Sequence, residues 1–160
     1  MTITIRHALP SDADAVLALM RELSEHEELS EYFHLTRDAL LRYCFDAPPR
    51  LEILVAVDGE TIVGYATWMA QLSPWAGRDF MFLDDLYVTA RMRGSGIGAL
   101  LMKRIGEIAV QRDVEVRWHV QTENVAAQKF YQSMGAELRS RFVAYWMREA
   151  IVRFSSSPTP

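Results

Sequence analysis

The sequence predicts an α/β (α+β) domain, a mixed and mostly antiparallel central sheet of about six to seven strands flanked by four helices. Three observations point there. Apolar runs with strand character crowd between Leu51 and Val88 around an Asp58-Gly59-Glu60 turn signal. Apolar residues at helical spacing precede and follow that cluster, as in Val16, Leu19, Met20, Leu23 and in Leu100, Leu101, Ile105, Ile108. Strand and helix alternate only in the second half, so the sheet is mixed rather than purely parallel.

The elements follow in order. Ile3 and Ile5 alternate with Thr4 and Arg6 as a short first strand. Pro10 and Ser11 open the first helix, with Ser11 as its N-cap and Asp14 three residues on. An acidic segment, Glu25 to Glu31, follows it. Thr36 caps a second helix through Leu40, Leu41 and Cys44, stopped by Pro48-Pro49. Leu51 to Val57 and Thr61 to Ala70 form a hairpin, and Phe80 to Val88 is a further long strand after the Ser73-Pro74-Trp75-Ala76-Gly77 loop. The glycine-rich stretch Arg91 to Gly98 leads directly into the third helix. Val114 to Val120 reads as a strand, Asn124 caps a fourth helix, and Gly135 ends it. Short strands at Glu137 to Arg139 and Phe142 to Met147 complete the order β-α-α-β-β-β-α-β-α-β-β. Residues 1–150 are thus expected to form a single domain, with 151–160 a flexible, polar C-terminal tail.

Composition excludes several classes. The chain has 160 residues and a net charge of −4, which argues against nucleic acid as a partner. Cys44 is the sole cysteine, so intrachain disulfides and Cys-rich zinc sites are ruled out, and His7, His34 and His119 have no metal-ligand spacing. No metal is expected. No apolar stretch approaches a membrane span, and the N-terminal residues lack the apolar region of a secretory leader. A cytoplasmic protein without membrane partners is expected.

Gly94, Gly96 and Gly98 lie where a strand ends and a helix begins. Backbone N–H groups at that junction lack helical acceptors and sit at the positive end of the helix dipole, which suits phosphate oxygens. Arg91 and Arg93 add charge. The bland alternative is a tight turn that needs glycine for its own sake. A Walker loop would end in Gly-Lys-Ser/Thr, whereas Gly98 is followed by Ala99-Leu100. A dinucleotide fingerprint needs G-x-G-x-x-G, whereas the spacing here is G-x-G-x-G.

At these residues the sequence resembles the GCN5-related N-acetyltransferase (GNAT) superfamily. Arg91-Met92-Arg93-Gly94-Ser95-Gly96 fits its R/Q-x-x-G-x-G/A motif, and Asn124, Phe130-Tyr131 and Gly135 fit a second element. Within the superfamily it is most similar to the diamine (spermidine/spermine and thialysine) acetyltransferases. Leu83 to Val88, Arg93 to Gly98 and the Ser73-Pro74-Trp75-Ala76-Gly77 loop carry that likeness. The resemblance implies the GNAT fold, acetyl-CoA as co-substrate, a small-molecule amine as acceptor, and a homodimer with Phe142 to Met147 as a contact. One departure stands out. Ser73 replaces the acidic residue that precedes Pro-Trp in the polyamine enzymes, which favours a smaller amine.

Acetyl transfer to an amine needs a neutral nitrogen, a polarised thioester and a proton for the departing thiolate. At pH 7 only about one alkylammonium in 2,500 is neutral, so a base is required. Asp84 and Asp85 are the candidates, adjacent on a strand and facing opposite ways unless a bulge intervenes. By resemblance Asp84 takes the place of the family's Glu base, acting through water, and Asp85 lies beside the substrate ammonium. A solvated pair at a strand end is the alternative. Tyr131 is the candidate general acid, because a phenol is protonated at pH 7; otherwise it is a core tyrosine. His26 and Glu27 match substrate-lining positions of the resemblance. Trp75 would wall the amine pocket or merely anchor a loop. The resemblance also assigns coenzyme binding to Leu86, Tyr87 and Val88, to Arg93, Gly94, Ser95, Gly96, Ile97 and Gly98, and to Asn124 and Ala127. Cys44 sits among apolar residues with no paired base, so direct transfer in a ternary complex is expected. Two other classes compete. One is a protein N-terminal or lysine acetyltransferase, the other a non-catalytic acyl-CoA-binding module.

Overall fold

A computed structural model describes residues 2–156. The chain divides into two compact units, the first running to His119 and the second beginning at Val120. The first unit holds β1 (Ile3–His7), α1 (Ala13–His26), α2 (Arg37–Phe45), β2 (Glu52–Asp58), β3 (Thr61–Ser73), β4 (Arg78–Val88), α3 (Ile97–Arg112) and β5 (Val116–Arg117). The second holds α4 (Val125–Ser133) and α5 (Arg148–Ser155). The sheet runs β1-β2-β3-β4-β5. Its first four strands are antiparallel and β5 joins in parallel. The expected α+β architecture is therefore observed, with a five-stranded sheet in place of six or seven strands.

Alternation along the strands divides the core between two faces. Ile53, Val55, Tyr65 and Tyr87 pack with Val16, Leu17, Leu19 and Met20 of α1 and Leu40 of α2. On α3, Ile97, Leu101, Met102, Ile105 and Ile108 are buried at helical spacing. Arg112 at the end of α3 grips Glu52 of β2 bidentately, at 2.5 and 2.6 Å. Trp68 Nε1 donates to the same carboxylate at 3.1 Å. That partnership keeps Glu52 ionised, lowering its pKa despite its burial.

Thr36 caps α2 by accepting from the Ala39 N–H at 3.2 Å. Gly59 turns the β2–β3 hairpin at φ +60°, and Gly135 follows α4 at φ +89°. The first helix departs from expectation. A 3-10 turn over Pro10–Asp12 precedes α1, and Asp12 rather than Ser11 organises the entry. Its carboxylate accepts from the Leu9 N–H at 2.7 Å and from Arg6 at 2.6 and 3.1 Å.

The C-terminal third differs more. Among the described residues, the strand expected over Val114 to Val120 pairs only at Val116 and Arg117. The segments expected as strands at Glu137 to Arg139 and Phe142 to Met147 are irregular. The β-branched and aromatic residues of the second segment favour a pleated surface only when a neighbouring strand supplies the ladder. Phe142, Tyr145 and Trp146 are instead exposed. The residues expected as a tail from 151 continue helix α5 to Ser155, where Trp146 packs edge-on against Phe154; residues 157–160 of that expected tail lie outside the described residues. Among the described residues no helix is long and apolar enough to cross a membrane.

Candidate active site

The β3–β4 pairing loses register between Ala66 and Trp68. Ala66 faces Leu86 and Trp68 faces Leu83, so Asp84 and Asp85 together oppose the single residue Thr67. This is a β-bulge, the exception under which adjacent carboxylates need not diverge. Asp84 is exposed and Asp85 half-buried. Asp85 is held by β3 at two points. Its N–H donates to Thr67 Oγ1 at 3.1 Å, and Tyr65 Oη donates to its Oδ2 at 3.2 Å. Burial first, then the charges of Asp84 and Glu27, push the Asp85 carboxyl up to about 6, while the Tyr65 hydrogen bond pulls it down. Burial and the nearby acids likewise raise the Tyr65 phenol, which stays protonated. The site is electronegative, with the Asp85 carboxyl held above the ordinary carboxylate range.

Beyond the bulge, β4 has an open edge. Among the described residues its pairing with β5 is confined to Met81 and Phe82. The Asp85 and Thr89 N–H groups point toward β3, to Thr67 and to the Val63 carbonyl. Alternation then turns the Leu86 and Val88 N–H groups toward the open edge and the Tyr87 N–H toward β3. Tyr87 contributes through its side chain instead. Its ring is buried, and its hydroxyl donates to Glu22 Oε2 of α1 at 3.2 Å. Thr89 Oγ1 donates to the same oxygen at 3.3 Å.

The open edge leads into the glycine loop. Gly94 has φ +76° and Gly96, the N-cap of α3, has φ +85°. Both values lie in the left-handed region that favours glycine. A Cβ built on either would meet nothing within 4 Å, so open space lies beside both. Ile97 and Gly98 form the first turn of α3, whose N–H groups have no acceptor within the helix. Arg93 reaches back, its Nε donating to the Val88 carbonyl at 3.3 Å and its guanidinium 5.5 Å from the Tyr87 ring centre. Ser95 Oγ donates to the Met92 carbonyl at 2.5 Å. Open space, helix-start amides and a tethered arginine fit the pyrophosphate of a coenzyme A thioester.

Other candidates are placed differently. His26 ends α1 and is exposed, whereas Glu27 just after it acts electrostatically on Asp85. Trp75 stands at the tip of the β3–β4 hairpin, fully exposed. The strand rise puts it about 20 Å from Thr67 along β3, so the structure does not bring it to the carboxylates. Ser73 is the last residue of β3, paired with Arg78, and its carbonyl closes the turn by accepting the Ala76 and Gly77 N–H groups at 3.1 and 2.8 Å.

In the second unit, Tyr131 is buried near the end of α4 and its phenol pKa is raised by that burial. Asn124 is the N-cap of α4, its Oδ1 accepting the Ala127 N–H at 3.0 Å. That bond occupies the Ala127 amide which the resemblance assigns to the coenzyme. Cys44 lines a small cavity with His7, Phe45, Glu52 and Ile53, and burial pushes its thiol up to about 11. Among the described residues, no three potential ligands cluster as a metal site. Sequence reasoning missed Tyr65, Thr67 and Glu22. The first two could have been found, because a Tyr-x-Thr pair on one face of a strand lies opposite Asp84-Asp85 once the hairpin is registered.

A family model described as the Acetyltransferase (GNAT) family matches residues 16–136. The chain is 33% identical over 144 residues to the thialysine N-epsilon-acetyltransferase of Bos taurus, covering 84% of each chain. It is 32% identical over 162 residues to that of Mus musculus, covering 91% of this chain and 95% of the relative. Among solved structures, an aminoglycoside acetyltransferase from an uncultured soil metagenomic sample superposes with a TM-score of 0.78. It is 19% identical, with coverage of 91% of this chain and 97% of that one. That likeness is one of fold.

Proposed function

Since the chain belongs to the GNAT family and is an N-acetyltransferase, we propose that it transfers acetyl from acetyl-CoA directly to a small primary amine. A diamine, a polyamine or a lysine-like amino acid is the acceptor class. The observation that carries this reading is the β4 bulge. It sets two carboxylates, backed by Glu27, next to an open strand edge that runs into the glycine loop. Acetyl-CoA, when bound, supplies the thioester. The Gly94 to Gly98 loop and Arg93 hold its phosphates, and the Leu86 and Val88 N–H groups pair with its pantetheine amides and polarise the thioester carbonyl.

Asp85 pairs with the substrate ammonium, and Asp84 accepts the amine proton through water. As the N–C bond forms and the C–S bond breaks, the sulfur takes a proton, a role that the family resemblance gives to the Tyr131 phenol, which is then reprotonated from solvent. Asn124 caps α4 and so orders the helix that carries Tyr131. The names of the relatives support a lysine-like acceptor. We extend the reading to a cytoplasmic homodimer of single-domain chains, supported by the exposed Phe142, Tyr145 and Trp146.

Free-thiol release from acetyl-CoA against putrescine, spermidine, lysine, thialysine and a Lys-containing peptide tests the function. Turnover on one free amine is expected; turnover on the peptide alone would transfer the reading to protein acetylation. Tyr131→Phe is expected to lower kcat about a hundredfold with little change in the acetyl-CoA KM, and unchanged turnover would remove Tyr131 as the acid. Cys44→Ala should retain activity, because a thiol held near 11 is protonated at neutral pH. Loss of turnover, together with an acetylated Cys44 trapped in the parent, would replace direct transfer with an acyl-enzyme route.

A further inference from the structure

The buried tyrosine behind the bulge has no role in the chemistry above, yet its position is specific. Tyr65 lies on β3 at 0% exposure, and a buried phenol needs a hydrogen-bond partner. Its partner is Asp85 Oδ2, at 3.2 Å. Two residues on, on the same face of β3, Thr67 Oγ1 takes the Asp85 N–H at 3.1 Å. A bulge leaves one residue without its regular ladder partner, and here a side-chain hydroxyl supplies the acceptor. Asp85 is therefore clamped through both its backbone and its carboxylate.

We propose that Tyr65 is a positioning residue, its phenol engaging Oδ2 so that Oδ1 of Asp85 remains aimed at the ammonium of the amine substrate. The inference rests on the reading that Asp85 faces the amine. Without this donor, the groups around Asp85 would oppose its ionisation. Asp84 stands beside it on β4, and Glu27 acts on it from the end of α1. The Tyr87 ring lies 6.1 Å from that of Tyr65 and carries Glu22 of α1 on its hydroxyl. Tyr65 supplies the donor that favours the anion. Because its own phenol is driven strongly upward, it remains a donor throughout the working pH range. The role has two parts: fixing the direction of the carboxylate and keeping it charged.

Tyr65→Phe preserves the ring and deletes the donor. The expected result at pH 7 is a rise of about tenfold in the amine KM, with the acetyl-CoA KM essentially unchanged. The Asp85 carboxyl at about 6 should give the parent an acid-side inflection in kcat/KM for the amine, and Tyr65→Phe should move that inflection to higher pH. A purely structural tyrosine would lower activity or stability without moving that inflection, and a stationary inflection with an unchanged amine KM overturns the proposal. Should Tyr65→Phe not fold, Thr67→Val releases the other half of the clamp and should show the same split between the two KM values; equal changes in both would overturn it. Asp85→Asn in the same assay separates the two levels. If Asp85→Asn leaves the amine KM and the inflection untouched, the underlying reading of Asp85 fails. If it abolishes the inflection while Tyr65→Phe does not move it, the Tyr65 inference alone falls.

Discussion

Asp85→Asn is expected to yield a protein that is more stable at pH 8 and far poorer at holding its amine. In the folded chain the Asp85 carboxyl sits at about 6, against an ordinary 3.8. Between those values the folded state binds more protons than the unfolded state, so this group's contribution to stability falls as pH rises through the window. Above about 6 the penalty is complete; below about 4 it is gone. A shift of about two units corresponds to an upper bound of about 3 kcal/mol. A half-buried group near two other acids should show somewhat less, about 2 kcal/mol, or a Tm rise of about 4–8 °C. Asparagine retains an oxygen to accept from Tyr65, so the clamp survives the substitution. Thermal unfolding at pH 8 and pH 4 checks this, and an equal gain at both values would mean that packing, not charge, is responsible. The amine KM should rise about tenfold with the loss of a charge-assisted contact. Stability and substrate binding then move in opposite directions at one residue, as at a site that tolerates an unfavourable charge for its function.

That charge shows where the sequence is legible and where it is not. Strands β2 to β4 were readable because their apolar runs and the Asp58-Gly59 turn leave one economical pairing. The glycine loop was readable because left-handed backbone at Gly94 and Gly96 admits few other residues. The bulge was not. An Asp-Asp pair in an apolar strand has the same sequence whether its side chains alternate or one residue is doubled, and only Thr67 lying opposite both decides it. The resemblance treats the Leu86 to Val88 amides alike, yet strand alternation gives the two outer ones to the open edge and turns Tyr87 inward. Phe142 to Met147 has strong strand composition and forms no strand, because propensity without a partner leaves backbone groups to water. The indole of Trp75 suits an amine pocket, but the length of the hairpin carries it away from the carboxylates.

Gly96→Asp should abolish coenzyme binding while leaving the fold nearly as stable as before. The two effects separate for a physical reason. Gly96 is the N-cap of α3 at φ +85°, and a left-handed backbone costs an ordinary L-residue about 1–2 kcal/mol. Aspartate tolerates that region better than most residues, and a carboxylate at a helix N-terminus is favourable by about 0.3–1 kcal/mol. Its Cβ meets no neighbour. These contributions largely offset, so a Tm within a few degrees of the parent is expected. The same carboxylate occupies the open space and takes the dipole that the coenzyme's phosphates require, replacing attraction with repulsion. A loss of more than about a hundredfold in acetyl-CoA affinity, about 2.7 kcal/mol, is expected. Gly96→Asn is the matched control, with nearly the same shape and backbone tolerance but no charge. Its affinity should fall less, and the gap between the two variants should narrow as added salt screens the carboxylate. Calorimetric titration of acetyl-CoA into both variants reads this directly. Parent-like affinity in Gly96→Asp would move the phosphates away from this loop, and an equal loss in both variants at every salt concentration would assign the effect to shape alone.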